Sequence, residues 1–239
     1  MPTPDQLQER PFFDAGKLPK IVSEYVGWFD VVGTQSHLTQ SHKRAANFFA
    51  KIHLTALASR HDPVRLYPVM DGVYVTSPSR SSFLDFVHRF YRVLSVIFCG
   101  EEDSLHRFMV RGAMAFGPLT HGSAIPDGCA EFKNKAYRDS LLIGMPMIHA
   151  HQAERQAPPF GVFIHESARA FAPTDEAPLS GRWWRWWQPG DDPLIAEMRV
   201  ALPQYFSWAS DHAQESDYPQ SKISEHSAAA FEYFQVPKG

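Results

Sequence analysis

The ten residues from Tyr25 to Thr34 (Tyr-Val-Gly-Trp-Phe-Asp-Val-Val-Gly-Thr) constrain this chain more than any other stretch. Val26, Trp28, Phe29, Val31 and Val32 form an apolar run that reads as a buried strand. Asp30 lies inside it. A carboxylate in such a run is costly unless it is paired or bound to a cation. Gly33-Thr34 then lets the backbone turn sharply before a helix begins. A strand, a Gly turn and a helix N-terminus make an anion site, because free N–H groups converge there. One short stretch therefore offers a carboxylate to a metal and amides to phosphates. The competing reading is a lone Asp that closes a strand and caps a turn.

The remaining chain has to supply the partners. With 239 residues it can form one large domain, or one domain plus an extension. A net charge of -3 gives no reason to expect general binding to nucleic acid or to acidic membranes. Cys99 and Cys129 are the only cysteines, which fits a reducing compartment rather than a disulfide scaffold. Residues 1–10 are polar and lack the apolar core of a signal peptide, and no apolar run is long enough to span a bilayer. The expected location is the cytoplasm.

Residues 1–20 read as a loose lead-in. After the strand at 25–32, Ala45, Phe48, Phe49, Ile52 and Ala56 keep a helical period behind the N-cap candidate Ser41, up to Arg60. Val64–Val69 and Val73–Thr76 read as a hairpin around Met70-Asp71-Gly72, since Asp-Gly between apolar strands favours a tight turn. Pro68 points to an edge strand. Ser81–Gly100 is the clearest helix, with Phe83, Phe86, Val87, Phe90, Val93, Leu94 and Ile97 on one face and Gly100 as its C′ residue. Phe108–Phe116 reads as a strand, followed by a turn at Gly117–Gly122 and an irregular excursion over 123–139. A short strand at Leu141–Ile143, a helix from Gly144 to Arg155, a strand at Gly161–Ile164 and a short helix at His165–Ala172 follow.

This order predicts an α+β sandwich in which helices cover one face of a largely antiparallel sheet. In a βαββαβ arrangement the first strand and the hairpin lie side by side at the centre. Asp30 and Asp71 then meet although they are distant in sequence. Two carboxylates beside a Gly turn are what two divalent metals and a triphosphate require. The competing reading of Asp71 is a turn residue.

At these residues the sequence resembles the class III nucleotidyl cyclases. Trp28-Phe29-Asp30-Val31-Val32-Gly33-Thr34 is similar to that family's Phe-x-Asp-Ile-x-Gly-Phe-Thr strand. Met70-Asp71-Gly72 keeps the second metal Asp and moves the Gly to its other side. Arg111-Gly112-Ala113-Met114 looks like its Arg-x-Gly-Ile strand, and the helix from Gly144 to Glu154 resembles its Gly-x-x-Val-Asn-x-Ala-x-Arg-Leu-Glu helix. The resemblance covers residues 22–170. It implies a ferredoxin-like βαββαβ core at 21–175, a C-terminal extension at 176–239, and a head-to-tail homodimer with shared sites. It also implies two Mg²⁺ or Mn²⁺ ions held by Asp30, the Val31 carbonyl and Asp71, and phosphates over Val32, Gly33 and Thr34.

The departures concern the base. Tyr67 stands where purine cyclases commonly place Lys or Glu, and Leu141 where they often place Asp. Ile148 and Gln152 replace the Asn and Arg that serve ribose and transition state. A bulkier wall with one hydroxyl suits a smaller ring, and in this the chain resembles the bacterial pyrimidine (uridylate) cyclases of Pycsar anti-phage systems. The implied reaction turns UTP into 3′,5′-cyclic UMP, with CTP as the alternative. A downstream effector would then bind the cyclic nucleotide rather than this protein. Candidate cations for the transition state are Arg111, Arg155 and the Lys133/Lys135/Arg138 cluster; Arg111 also reads as a strand-ending salt bridge. An inert nucleotide-binding dimer and a polymerase-palm relative are the other readings. The chain lacks the basic aromatic groove that the latter needs.

Beyond residue 176, Trp183-Trp184-Arg185-Trp186-Trp187 reads as a strand packing its rings on the core. A helical period runs from Leu194 to Ala209, with a kink or fresh start expected at Pro203. Phe231–Phe234 reads as an aromatic tail that docks. The twelve histidines read as ordinary; His149 and His151 diverge on a helix.

Overall fold

The computed structural model describes residues 21–125 and 134–235. Cys129, Lys133 and the lead-in at 1–20 lie outside the described residues. In chain order the elements are β1 (Val22–Val31), α1 (Thr34–Gln40), α2 (His42–Ser59), β2 (Arg65–Val69), β3 (Gly72–Ser77), α3 (Arg80–Gly100) and β4 (Val110–His121). Then come α4 (Lys135–Asp139), β5 (Leu142–Ile143), α5 (Met145–Ala153), β6 (Val162–Ile164), α6 (Glu166–Ala170) and β7 (Trp183–Trp184). The C-terminal part holds α7 (Asp192–Asp211), α8 (Ala213–Ser216) and α9 (Gln220–Phe234).

The described strands form one mixed sheet in the order β2-β3-β1-β4-β6-β7, with β5 paired to β4 off that path. All pairings are antiparallel except β4 with β6. β2 is an edge strand, as Pro68 requires. β1 is central because its alternation serves two layers. Tyr25, Phe29 and Val31 enter the main core with Phe48 and Ile52 of α2 and Phe83, Phe86, Phe90 and Leu94 of α3. Trp28 turns to the opposite face, where Ala115 and Ala150 of α5 meet it. The sequence reading placed helices on one face only; α5 covers part of the second, because alanines there let a helix approach closely.

One expected helix end shifts by a residue and two expected breaks are absent. Gly100 is the last residue of α3 rather than the residue beyond it. β4 runs through Gly117 to His121, since Gly117 adopts φ 157 and β5 pairs with Thr120 and His121. α7 continues through Pro203. Ala201, Leu202, Tyr205 and Phe206 are buried on either side of it while Pro203 is exposed, so packing outweighs one missing hydrogen bond. Ile195 and Met198 of α7 and Tyr233 and Phe234 of α9 belong to the main core. The tryptophans fasten this part: Trp186 stacks on Tyr91 at 6.0 Å, and Trp187 stacks on Phe234 at 5.4 Å.

The approach of β4 to β1 depends on Gly112. A Cβ there would lie 2.3 Å from Cδ1 of the fully buried Phe29 and 2.7 Å from the Trp28 carbonyl oxygen. Gly112→Ala is expected to destabilise the protein by about 2–3 kcal/mol through forced repacking. Equilibrium denaturation in urea measures it; an unchanged midpoint refutes the close approach.

Candidate active site

Asp30 is the penultimate residue of β1, partly buried at the end of its buried run, with Gly72 opposite it on β3 and Arg111 opposite it on β4. The β2–β3 turn delivers Asp71 beside it, with Met70 taking φ 48 in the turn. The two expected metal carboxylates are thus neighbours, and they share a hydrogen bond. Burial pushes the Asp30 carboxyl up to about 8, followed by the charge of Asp71, the hydrogen bond to it, and the charge of Glu154; Arg111 acts in the opposite direction. Thr34 Oγ1 hydrogen-bonds Asp71 Oδ2 and lies 3.1 Å from the Val31 carbonyl oxygen. Gly33 caps α1 with φ 80, and no side chain satisfies the first turn. One phosphate amide needs correction: the Val32 N–H already donates to the Met109 carbonyl at 2.9 Å.

Beside this pair lies a pocket of about 400 Å³. Val32, Gly33 and Arg111 form its inner wall, and Arg155 a side. The outer wall comes from the C-terminal part, with Tyr218, Lys222 and His226. Arg111 makes the salt bridge that was one of its two expected roles. It walls the pocket, and it is held in an ion pair, Nε to Glu154 Oε1. Its Nη1 donates to His226 Nε2 at 3.3 Å. Glu154 and His226 are both buried. Burial, and then the charge of Arg111, push His226 down to about 4. Lys135 is paired with Asp139 instead, and Arg138 is buried against Gly122 at the far end of β4, so neither lines this pocket.

Tyr67 lies on the second face, in the row of Tyr74, Trp28 and Ala113. Its hydroxyl bonds His121 Nδ1, and His121 Nε2 lies 2.9 Å from Glu24 Oε1. His121 is eight residues beyond Ala113 and three strands across from Tyr67. In a flat sheet that separation is about 30 Å. The β1–β4 ribbon therefore curls back over the second face until His121 stands above Tyr67. Leu141 is partly buried, while Ile148 and Gln152 are exposed on α5.

The sequence contained Asp30, Asp71 and Thr34 as readable candidates. Tyr218, Lys222 and His226 were missed as pocket residues, Glu154 as the partner of Arg111, and the Glu24–His121 pair behind Tyr67. No local pattern marks them, because the Lys222–Glu225 pair looks like any surface pair and only the tertiary structure brings His226 and Glu154 to Arg111.

Among the described residues no group of three or more His, Cys, Asp or Glu is arranged to hold a metal. Asp30 and Asp71 still fit a divalent cation, which two carboxylates can bind with backbone and substrate oxygens. The fit rests on Asp30 Oδ1, which is buried without a hydrogen-bond partner.

No protein-family profile matches the sequence, and no curated protein does. Among solved structures the chain is similar to a class III adenylyl cyclase-like ATP-binding protein from Pseudomonas aeruginosa, at 14% identity and a TM-score of 0.40. The alignment covers 86% of this chain and 42% of that one. This chain thus spans less than half of that protein, and a likeness at this level transfers neither ligand nor activity. Among the described residues no helix is long and apolar enough to cross a membrane.

An acid whose folded pKa stands above its unfolded value holds its proton more tightly when folded, so stability falls as the pH climbs. For Asp30 the window runs from 3.8 to about 8. Metal-free protein is expected to melt at a lower temperature at pH 8 than at pH 5, with Asp30→Asn reducing that difference. Mn²⁺ at a hundredfold excess over its Kd should add about 2.7 kcal/mol at pH 8, or roughly 5–11 °C in Tm. Thermal melts check both; a Mn²⁺ shift that survives in Asp30→Asn and Asp71→Asn excludes the pair as the site.

Proposed function

We propose that this chain is a pyrimidine nucleotide cyclase that converts UTP to 3′,5′-cyclic UMP and pyrophosphate, as the second-messenger synthase of an anti-phage system. The observation that carries the reading is the pairing of Asp30 on β1 with Asp71 in the β2–β3 turn, with one Asp30 oxygen buried and unpaired. The β–α–β–β–α–β connectivity with order β2-β3-β1-β4 supports a ferredoxin-like core of the kind that class III cyclases use.

Asp30, Asp71 and the Val31 carbonyl are the groups that would hold two Mg²⁺ or Mn²⁺ ions. When bound, these ions lower the pKa of the ribose 3′-hydroxyl and neutralise the triphosphate. The 3′-hydroxyl gives its proton to solvent as its oxygen forms a bond to the α-phosphorus, and the bond from that phosphorus to the bridging oxygen breaks, releasing pyrophosphate. Thr34 fixes Asp71 through its hydroxyl. The uncapped turn after Gly33 turns amides toward the phosphates. Arg155, exposed at the pocket wall, supplies the cation, since Arg111 is tied to Glu154.

Tyr67 is the base reader in this reading. Glu24 accepts the His121 Nε2–H, which leaves Nδ1 to accept the Tyr67 proton. The Tyr67 oxygen then offers lone pairs only, which suit the uracil N3–H or the cytosine N4 amine. A purine carries more polar edge and ring groups than Tyr67 alone can pair, and each one left buried and unpaired costs about 1–3 kcal/mol. Uracil is preferred on the family resemblance alone. The chain acts as a head-to-tail homodimer: Met70 at the hairpin tip and Met145 and Ile148 on α5 are apolar and 74%, 53% and 48% exposed. Ile148 and Gln152, in place of Asn and Arg, favour the inert nucleotide-binding dimer as second reading.

Purified protein incubated with each of the four NTPs and Mn²⁺, with products identified by mass, is expected to yield mainly cyclic UMP. Asp71→Ala should lower turnover by about a hundredfold or more while the fold survives. Tyr67→Phe should narrow the preference for UTP over purine triphosphates by roughly tenfold. Chiefly cyclic AMP or cyclic GMP from the wild type overturns the pyrimidine reading, and no cyclic product from any NTP leaves the inert one. For the dimer, an inactive Asp30→Ala chain mixed with an inactive α5 variant should recover part of the activity. Full activity from a monomer at high dilution sinks the shared site.

A further inference from the structure

The helix that closes the pocket belongs to the part of the chain outside the cyclase-like pattern, and its side chains make a directional hydrogen-bond chain. Arginine only donates, so the 3.3 Å contact fixes His226 Nε2 as an acceptor of the Arg111 Nη1 proton. His226, buried and 6% exposed, then carries its own proton on Nδ1. That nitrogen bonds the Tyr218 oxygen, so Tyr218 accepts there. The Tyr218 O–H proton is consequently left over for another acceptor. Tyr218 lines the pocket, and burial raises its pKa, so the phenol stays protonated.

Lys222 stands one helical turn N-terminal to His226 and lines the same pocket. Its present partner is Glu225 at 2.6 Å, and both side chains are more than half exposed. A surface pair of this kind is weak and exchanges readily for a better-placed anion. Across the pocket stand Arg111, Arg155 and the backbone of Gly33. With Arg111 held by Glu154, Arg155 and Lys222 are the cations left to a ligand, and Asp217 and Glu225 are the carboxylates of the lining. Ser36 of α1 donates to the Asp217 carbonyl at 3.1 Å, which joins the outer wall to the turn after β1.

We propose that α9 and the residue leading into it supply the outer wall of a polyphosphate site. Tyr218 O–H and Lys222 Nζ are its ligands to phosphate oxygens, and His226 is the positioning residue that aims the Tyr218 proton. That the polyphosphate is the tail of a nucleoside triphosphate, later released as pyrophosphate, rests on the function proposed above. The extension is in this view part of the site rather than an accessory to the core.

Inorganic pyrophosphate is the probe, titrated into the full chain by calorimetry. The wild type is expected to bind it, and Tyr218→Phe and Lys222→Met should each weaken binding about tenfold. His226→Leu should weaken it in the wild type and have no further effect in Tyr218→Phe, which a merely structural role would not produce. Ser221→Ala, outside the pocket, should change nothing. Failure of the wild type to bind pyrophosphate overturns the inference, and so does equal affinity in Tyr218→Phe and Lys222→Met. Binding that depends on these residues in a protein that cyclises no NTP upholds the site while refuting the cyclase reading. If cyclisation is seen, both variants should raise KM for the nucleotide more than they lower kcat.

Discussion

A Cβ at Gly72 would come within 2.5 Å of the Trp28 ring, and one at Gly112 within 2.3 Å of the Phe29 ring. Two large aromatic side chains on adjacent residues of β1 thus lie across the backbones of its two neighbours. Each glycine removes the atom that would hold the strands apart. Because one ring faces the main core and the other the second face, β1 is fixed from both sides. Asp30 is the next residue, and its position follows from theirs. The carboxylate pair depends on this constraint, since Asp71 precedes the glycine on which Trp28 rests.

The site works against its own stability. Asp30 is partly buried beside a second carboxylate, with Glu154 also near, and Arg111 offsets only part of that charge. The rest of the neighbourhood is organised to hold these groups in place: Thr34 on Asp71, Arg111 on Glu154, His226 on Arg111. Local conflict of this kind within an otherwise well-packed core is the usual mark of a functional site. The same logic reaches the other end of the sheet, where Glu24 and Tyr67 are both bonded to His121.

What could be read in the sequence was whatever repeats with a period. The Phe83–Ile97 stripe gave α3, the apolar run at Val26–Val32 gave β1, and Asp71-Gly72 marked the hairpin. Breaks were less legible, because Gly117 and Pro203 are breakers only where packing does not decide; both lie where neighbouring buried residues hold the element together. Asp30 and Asp71 were legible because a carboxylate in an apolar run and one in a tight turn are each locally unusual. His226, Tyr218 and Lys222 lie in a polar stretch whose local pattern is that of any exposed helix. Their meaning comes from Arg111, and no window that contains one contains the other.

That separation has a consequence for how the molecule comes into being. His226 follows Arg111 by 115 residues. At roughly 5–20 residues per second, the growing chain takes about 6–23 s to make that distance. Throughout that interval the β1–β3 carboxylates and Arg111 have been synthesised, while the wall that completes the pocket has not. Vectorial synthesis therefore delivers the carboxylate pair and Arg111 first and the wall that closes the pocket last.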